Sequence, residues 1–337
     1  MKMLILGGTR FVGRHIAEAA VLRGHCVTLF NRGQSDPNPT LDVERLVGNR
    51  DGDLEALRGR RWDAAVDVSG YVPRIVRASA EMLAPAVQHF TFVSTASVYA
   101  GAPGDRVDET TSTRTIEDET REDYQDPAAY GALKALCERA VERVLPNHTF
   151  IPRLSLVVGP RDPTDRFTYW PRRIARGGRI LAFDRPDRVV IPFIDARDVA
   201  SWVVAGVEAG RTGAFNVGGK MGVTIGEVVE TCRTVARVPG APPTWVSETF
   251  LLQHGVKPWI ELPLWVPRER DDLTGLDSTR AAAQGLRLRP LANTIADTLA
   301  WDGARDPHVS PKAGLTAERE AELLRLWDSA DGRRQGM

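Results

Sequence analysis

Cysteine is scarce in this 337-residue chain: Cys26, Cys137 and Cys232 stand singly and far apart. They offer neither a disulfide framework nor metal-ligand spacing, and such usage points to a reducing, cytoplasmic setting. The six histidines are isolated, with no pair at the helical spacing that holds zinc, so no metal site is expected. Net charge is missing too, because 44 Lys and Arg offset 44 Asp and Glu. Nothing global draws such a chain to nucleic acid or to an acidic membrane, and it has no basic stripe. No apolar run is long enough to span a bilayer, and Gly7 and Gly8 interrupt the only apolar stretch near the N-terminus, so no secretion signal is read. Without one, the sequon Asn147-His148-Thr149 is incidental. The remaining composition, 42% hydrophobic and 26% charged, is that of a globular protein with room for one large domain or two ordinary ones.

What is present is concentrated at the start. The apolar run Met3-Leu4-Ile5-Leu6 stops at Gly7-Gly8, and Thr9-Arg10-Phe11-Val12-Gly13 leads into an amphipathic segment from Arg14 to Leu22. This reads as strand, tight turn and helix. The spacing Gly7, Arg10, Gly13 is a dinucleotide fingerprint with one substitution. Gly7 makes the turn, Gly13 brings helix and strand together, and the helix N-terminus offers N–H groups to a pyrophosphate. Arg10, in place of the middle glycine, either crowds that pyrophosphate or sets a guanidinium beside it.

Strand-like runs recur at Cys26–Phe30, Trp62–Val68, His89–Ser94 and Thr149–Val158, with a helix read over 73–83 and another over 130–145. Alternating strands and helices predict a doubly wound parallel sheet, an α/β Rossmann domain, with ligands at the carboxyl ends of the strands. Residues 38–46 read as irregular and then partly helical, with a short strand ending near Asn49 and Asp53 capping a helix. Ser69-Gly70-Tyr71 would close over a cofactor, and residues 101–126 read as a long surface loop or lid. After Cys26–Phe30, where an acid would accept from the adenosine ribose, stand Asn31 and Arg32. This favours NADP, with NAD as the alternative.

Tyr130 and Lys134 are four residues apart on one helix face, and Thr95 ends a strand about 35 residues earlier. A phenol of ordinary pKa near ~10 is a poor base at neutral pH, and a nearby ammonium would lower it. Tyr130 would then exchange a proton with a substrate oxygen, Thr95 would orient that oxygen, and Lys134 would also hold the nicotinamide ribose. The chain has only five tyrosines and five lysines, so this spacing is rarely met by chance.

These pieces, with Ser94-Thr95-Ala96-Ser97-Val98-Tyr99, Leu156-Val157-Val158-Gly159-Pro160, residues 192–200 and Gly213-Ala214-Phe215-Asn216-Val217-Gly218, resemble the extended short-chain dehydrogenase/reductases, the NAD-dependent epimerase/dehydratase family. The resemblance covers roughly residues 1–220. It implies a Rossmann domain over 1–158 and 189–212, and a smaller C-terminal α/β substrate domain over 159–188 and 213–330. It implies Thr95, Tyr130 and Lys134 as the catalytic set. The cofactor-binding set is Gly7, Thr9, Arg10, Phe11, Val12, Gly13, Asn31, Arg32, Ser69, Gly70, Tyr71, Ser94, Lys134 and Arg153. It also implies a homodimer through helices that include the Tyr-Lys helix.

The departures narrow the reading. Arg10 looks like an atypical branch that includes chloroplast stem-loop-binding proteins, some of which bind RNA. Ala96-Ser97 replaces the Asp-Glu of the sugar-nucleotide dehydratases, and the asparagine common in epimerases three positions before Gly-Pro is absent at Leu156. The expectation is an NADPH-dependent reductase of a carbonyl or imine on a small molecule. The alternatives are a sugar-nucleotide epimerase with tightly bound NAD, and a non-catalytic RNA- or ligand-binding protein. Aromatic and proline-rich stretches at 167–173 and 254–265 suit either a partly apolar pocket or the core of the smaller domain. Arg172, Arg173, Arg176 and Arg179 read as a solvated face or a phosphate contact, and 315–327 as an amphipathic helix.

Overall fold

The computed structural model describes residues 1–34, 41–101, 105–238, 242–267, 275–306 and 308–335. In chain order they form β1 (Lys2–Leu6), α1 (Phe11–Leu22), β2 (Cys26–Asn31), β3 (Glu44–Val47), β4 (Ala64–Asp67), α2 (Pro73–Leu83), β5 (His89–Phe92), β6 (Ser94–Thr95), α3 (Pro127–Val144), β7 (Thr149–Leu154) and β8 (Leu156–Val158). Then follow α4 (Tyr169–Ala175), β9 (Leu181–Phe183), β10 (Phe193–Asp195), α5 (Ala196–Glu208), β11 (Gly213–Val217), α6 (Ile225–Ala236), β12 (Thr244–Val246), α7 (Glu248–Gln253), α8 (Thr279–Ala283), α9 (Leu291–Gly303) and α10 (Ala317–Gln335). The chain divides into two compact units, the first comprising Met1–Val157, Phe193–Gly219 and Gly275–Leu288, the second the remainder.

The first unit is built on one parallel sheet in the order β11-β7-β5-β4-β1-β2-β3, with β6 also paired to β7. The central strands are buried on both faces, β1, β4 and β5 almost throughout, and alternate side chains serve opposite layers. Met3 and Ile5 pack with Ile16 and Ala20 of α1 and Val199 and Val203 of α5. Leu4 and Leu6 pack with Val76 and Ala80 of α2 and Cys137 and Val141 of α3. This is the expected doubly wound α/β Rossmann architecture. The strand order reverses between β1 and β4, and the crevice at that switch point lies at the carboxyl ends of both strands.

Three local expectations are corrected, and a fourth is refined. Where 41–46 reads as partly helical, β3 pairs with β2, Thr28 opposite Glu44 and Phe30 opposite Leu46. Only Leu46 of this strand is buried, and Val47 is exposed at the sheet edge, so the apolar residues show no strand period. Asp53 caps nothing: it forms a bridge with Asn49, and the short 3₁₀ turn Glu55–Leu57 follows Leu54 without a side-chain cap. Helix α3 begins at Pro127 rather than Tyr130, because Asp126 accepts from the Ala128 N–H and proline suits the first helical position. Residues 105–125 form an irregular and mostly exposed loop, as expected of a surface loop, and it is held at three places. Val107 is buried and bridges Leu276, Thr113 bridges Tyr99, and Glu109 accepts from the Asn216 N–H at 2.8 Å. Residues 102–104 lie outside the described residues.

The unit boundaries differ from the sequence reading as well. Residues 213–219 and 275–288 belong to the first unit, because β11 pairs along its length with β7 and α8 packs against β11.

In the second unit α4, α6 and α9 pack together and β9 pairs in parallel with β12. Phe167, Trp170, Phe183 and Trp265 are buried, and Trp170 meets Phe183 edge-on at 5.9 Å. The Trp170 indole donates to the Pro263 carbonyl at 2.9 Å and the Trp265 indole to Glu248 at 3.0 Å. These aromatics are therefore the core of this unit. Of the four arginines read as a solvated face or a phosphate contact, Arg173 is buried, Arg172 is partly buried, and Arg176 and Arg179 are exposed. Arg172 pairs with Asp302, Arg173 with Glu320 at 2.5 Å, and Arg179 with Asp328 at 2.7 Å. In α10, Leu323 and Leu324 are buried and Trp327 meets Phe250 edge-on at 5.0 Å, the expected apolar stripe. Among the described residues no helix is long and apolar enough to cross a membrane.

Candidate active site

The turn after β1 has the backbone that the fingerprint requires. Gly7 and Gly8 take φ of 106° and 83°, which glycine adopts freely. A Cβ on Gly13 would stand 2.8 Å from the Gly8 nitrogen and 2.7 Å from Val68, so only glycine lets the start of α1 approach this turn. Helix α1 opens with Arg10 as N-cap and no side-chain cap, and its first N–H groups have no intrahelical partner. Arg10 is exposed, while Thr9 and Val12 are half-buried and Phe11 holds φ of 35° in the left-handed region. These residues fit a diphosphate held at a helix N-terminus.

At the end of β2, the Asn31 side-chain oxygen accepts from the Gly33 N–H at 2.8 Å. Its Nδ2 is buried without a partner among the described residues, a donor still available to an acceptor. Arg32 is exposed beside it. An amide donor and a guanidinium, with no carboxylate in that position, fit a phosphorylated ribose.

Of the residues expected to form the catalytic set, Thr95 ends β6 and Tyr130 and Lys134 lie on α3. The Thr95 hydroxyl accepts from the Ser97 N–H at 3.2 Å and donates to Ser97 Oγ at 3.2 Å, and it acts on the Tyr130 phenol in the direction of ionisation. Burial pushes the Tyr130 phenol up to about 12, the Tyr71 phenol adds to this, and only Thr95 opposes it. The expected lowering by Lys134 is therefore corrected. Lys134 turns its Nζ to the carbonyls of Gly70 and Val93, each at 2.8 Å, beneath the Phe92 ring at 4.0 Å. Burial brings the Lys134 ammonium down to about 8, against the fields of Cys137, Asp67 and Glu138.

Of the other expected cofactor residues, Gly70 must be glycine: a Cβ there would lie 2.5 Å from Phe92 and 2.7 Å from Val76. Ser94 is buried with its Oγ unpartnered among the described residues. Tyr71 is 37% exposed, stacks on Tyr124 at 4.9 Å and lies 5.5 Å from Lys134 Nζ. The Ser69 hydroxyl is already engaged, donating to the Leu6 carbonyl at 3.1 Å. Arg153 is corrected. Its guanidinium forks onto Glu138, at 2.7 Å from NH2, and donates to the Tyr99 hydroxyl at 2.9 Å, which leaves it no role as a cofactor ligand.

Sequence reasoning missed Glu138, Tyr99 and the pair Arg50–Asp67. Asp67 is fully buried at the end of β4 and receives both terminal nitrogens of Arg50, at 2.7 and 2.6 Å. The signal was an acid inside the apolar run Ala64-Ala65-Val66-Asp67-Val68, since a buried carboxylate needs a cation.

The first unit has the Rossmann fold that the resemblance implies, with Thr95 on β6 and Tyr130 and Lys134 on α3. Residues 63–218 match the model of the NAD dependent epimerase/dehydratase family. The chain is 26% identical over 256 residues to the chloroplast stem-loop binding protein of 41 kDa b of Arabidopsis thaliana, covering 71% of this chain and 64% of that protein. Among solved structures, it is similar to WbmG of Bordetella bronchiseptica in complex with NAD and UDP, with TM-score 0.67 and 19% identity over 92% of this chain and 99% of that one. It is also similar to the UDP-glucose 4-epimerase of Thermotoga maritima with UDP-glucose, with TM-score 0.66 and 17% identity over 90% and 99% of the two chains. At these identities the two structures show the common fold.

Proposed function

We propose that this protein is a nicotinamide-dinucleotide-dependent oxidoreductase that reduces a carbonyl or imine on a small molecule. The observation that carries the reading is Lys134, one helical turn from Tyr130 and held on two backbone carbonyls, with Thr95 acting on the Tyr130 phenol. When bound, a reduced nicotinamide supplies the hydride. Thr95 Oγ1 orients the substrate oxygen, and the Tyr130 hydroxyl gives that oxygen its proton. With its phenol pushed up to about 12, Tyr130 stays protonated at neutral pH and is poised as an acid, which favours the reducing direction. Below about 8 the Lys134 ammonium is charged and can donate to ribose hydroxyls. Gly7, Gly8 and Gly13 with the start of α1 would hold the diphosphate, and Asn31 and Arg32 favour NADP over NAD. We extend the proposal to a substrate held by the second unit and to a homodimer, the latter checked by sedimentation.

A second reading, a sugar-nucleotide epimerase that retains NAD, is supported by the solved relatives whose complexes hold NAD with UDP, or UDP-glucose. It uses the same Tyr130 and Lys134 but consumes no cofactor. One experiment separates the readings. The protein is incubated with 4-deuterated NADPH or NADH and a panel of ketones, imines and UDP-sugars, and the products are analysed by mass. Deuterium transferred with stoichiometric dinucleotide oxidation supports the reductase. Sugar inversion without dinucleotide consumption supports the epimerase, and neither outcome with any substrate would remove both.

A further inference from the structure

We propose that Arg50 is a positioning residue for Lys134, acting through Asp67 and the backbone at the carboxyl end of β4. The inference rests on the reading of Lys134 as a cofactor-holding residue. The backbone beside each carbonyl that receives Lys134 Nζ is tied to Asp67. The Val93 N–H donates to the Asp67 backbone carbonyl at 2.9 Å. The Ser69 N–H, just before Gly70, donates to Asp67 Oδ1 at 3.0 Å. Arg50 grips this corner from outside the sheet. Its NH1 and NH2 fork onto the two carboxylate oxygens, NH1 also reaches Ser69 Oγ at 3.1 Å, and Nε reaches Ser79 Oγ at 3.3 Å.

The charges explain why a cation is needed there. Asp67 is fully buried, and a buried carboxylate without a partner would seek the nearest ammonium. Lys134 lies within its field. With Arg50 satisfying Asp67, Lys134 remains directed to the carbonyls of Gly70 and Val93. The groups facing Lys134 are Asp67 on β4, Arg50 in the segment after β3, Cys137 and Glu138 on its own helix, and the rings of Tyr71 and Phe92. Arg50 and Asp67 act on it with opposite sign, so removing Arg50 alone leaves the carboxylate unopposed.

The test uses the full chain labelled with 13C at lysine Cε. With five lysines, the Lys134 resonance is assigned by its loss in Lys134→Arg. Its titration is followed in the wild type and in Arg50→Met, without any ligand. The expected result is an upward move of the Lys134 midpoint in Arg50→Met; an unmoved midpoint in a folded variant overturns the proposal. Arg50→Lys keeps the charge but loses the fork, and serves if Arg50→Met does not fold. It should bind nicotinamide dinucleotide about tenfold more weakly at an unchanged melting temperature, and wild-type affinity there would overturn the positioning role. A wild-type protein that binds no dinucleotide would count against the proposed function instead, while the resonance midpoint would still judge Arg50.

Discussion

Glu138 and Arg153 form a buried, bidentate ion pair exactly one turn of α3 beyond Lys134, joining the helix that carries the reactive residues to β7. Arg153 passes the contact to the Tyr99 hydroxyl, which donates to Asn216 on β11 at 2.6 Å. Removing one partner strands a buried charge. Arg153→Met should therefore destabilise the protein by about 3–5 kcal/mol, and the double variant Glu138→Leu/Arg153→Met should recover most of that loss. Denaturant unfolding of the three proteins measures it; equal stability of the single variant and the wild type would refute the assignment.

The acid role of Tyr130 predicts the behaviour of Tyr130→Phe. Turnover should fall by about 10²–10⁴-fold, the typical contribution of a positioned acid. Dinucleotide affinity should stay nearly the same, because the phenol faces Thr95 and the substrate oxygen. Steady-state kinetics beside a binding titration separates the two effects, and undiminished turnover would exclude Tyr130 as the acid.

Lys134 gives a pH dependence of defined sign. Its midpoint is down at about 8, so the ammonium is intact below that pH and lost above it. Dinucleotide affinity should weaken as pH rises through about 8. The step should be absent in Lys134→Met, whose affinity should be lower throughout the neutral range. Calorimetric titrations across pH 6–10 test this, and a wild-type affinity that is flat through that range would contradict it.

Cofactor choice rests on Asn31 and Arg32. The pair Asn31→Asp/Arg32→Ser introduces the ribose-binding acid and removes the cation. It should shift the ratio of NADPH to NADH affinities by about tenfold or more toward NADH, the value of one charge-assisted hydrogen bond. An unchanged ratio would mean that neither residue meets the ribose.

Much of the first unit was legible because both its signals are local. The alternation of Met3-Leu4-Ile5-Leu6 between two buried layers and the turn chemistry of Gly7 and Gly8 are properties of a few consecutive residues. The Tyr130–Lys134 spacing is likewise carried by one helix. Edge strand β3 was not legible, since half-exposed Glu44-Arg45-Leu46-Val47 shows neither period clearly and gains its identity from pairing with β2. The states of Tyr130 and Lys134 were misjudged for a related reason. Burial, which raises one and lowers the other, depends on Phe92, Tyr71 and the β4 corner, and none of these is near them in sequence. The aromatics of the second unit were ambiguous until Trp170, Phe183 and Trp265 were found packed on one another. Arg153 was assigned by resemblance, and its partner Glu138 lies fifteen residues away on another element.

The most direct test of the central claim is to denature the freshly purified protein and identify any released nucleotide, then titrate the emptied or empty native protein with NADPH and NADH. The account predicts one nicotinamide dinucleotide per chain, either released or bound on addition, with NADPH the tighter of the two. A protein that releases none and binds neither would contradict it, and would turn attention to a binding role like that named for the stem-loop binding relative.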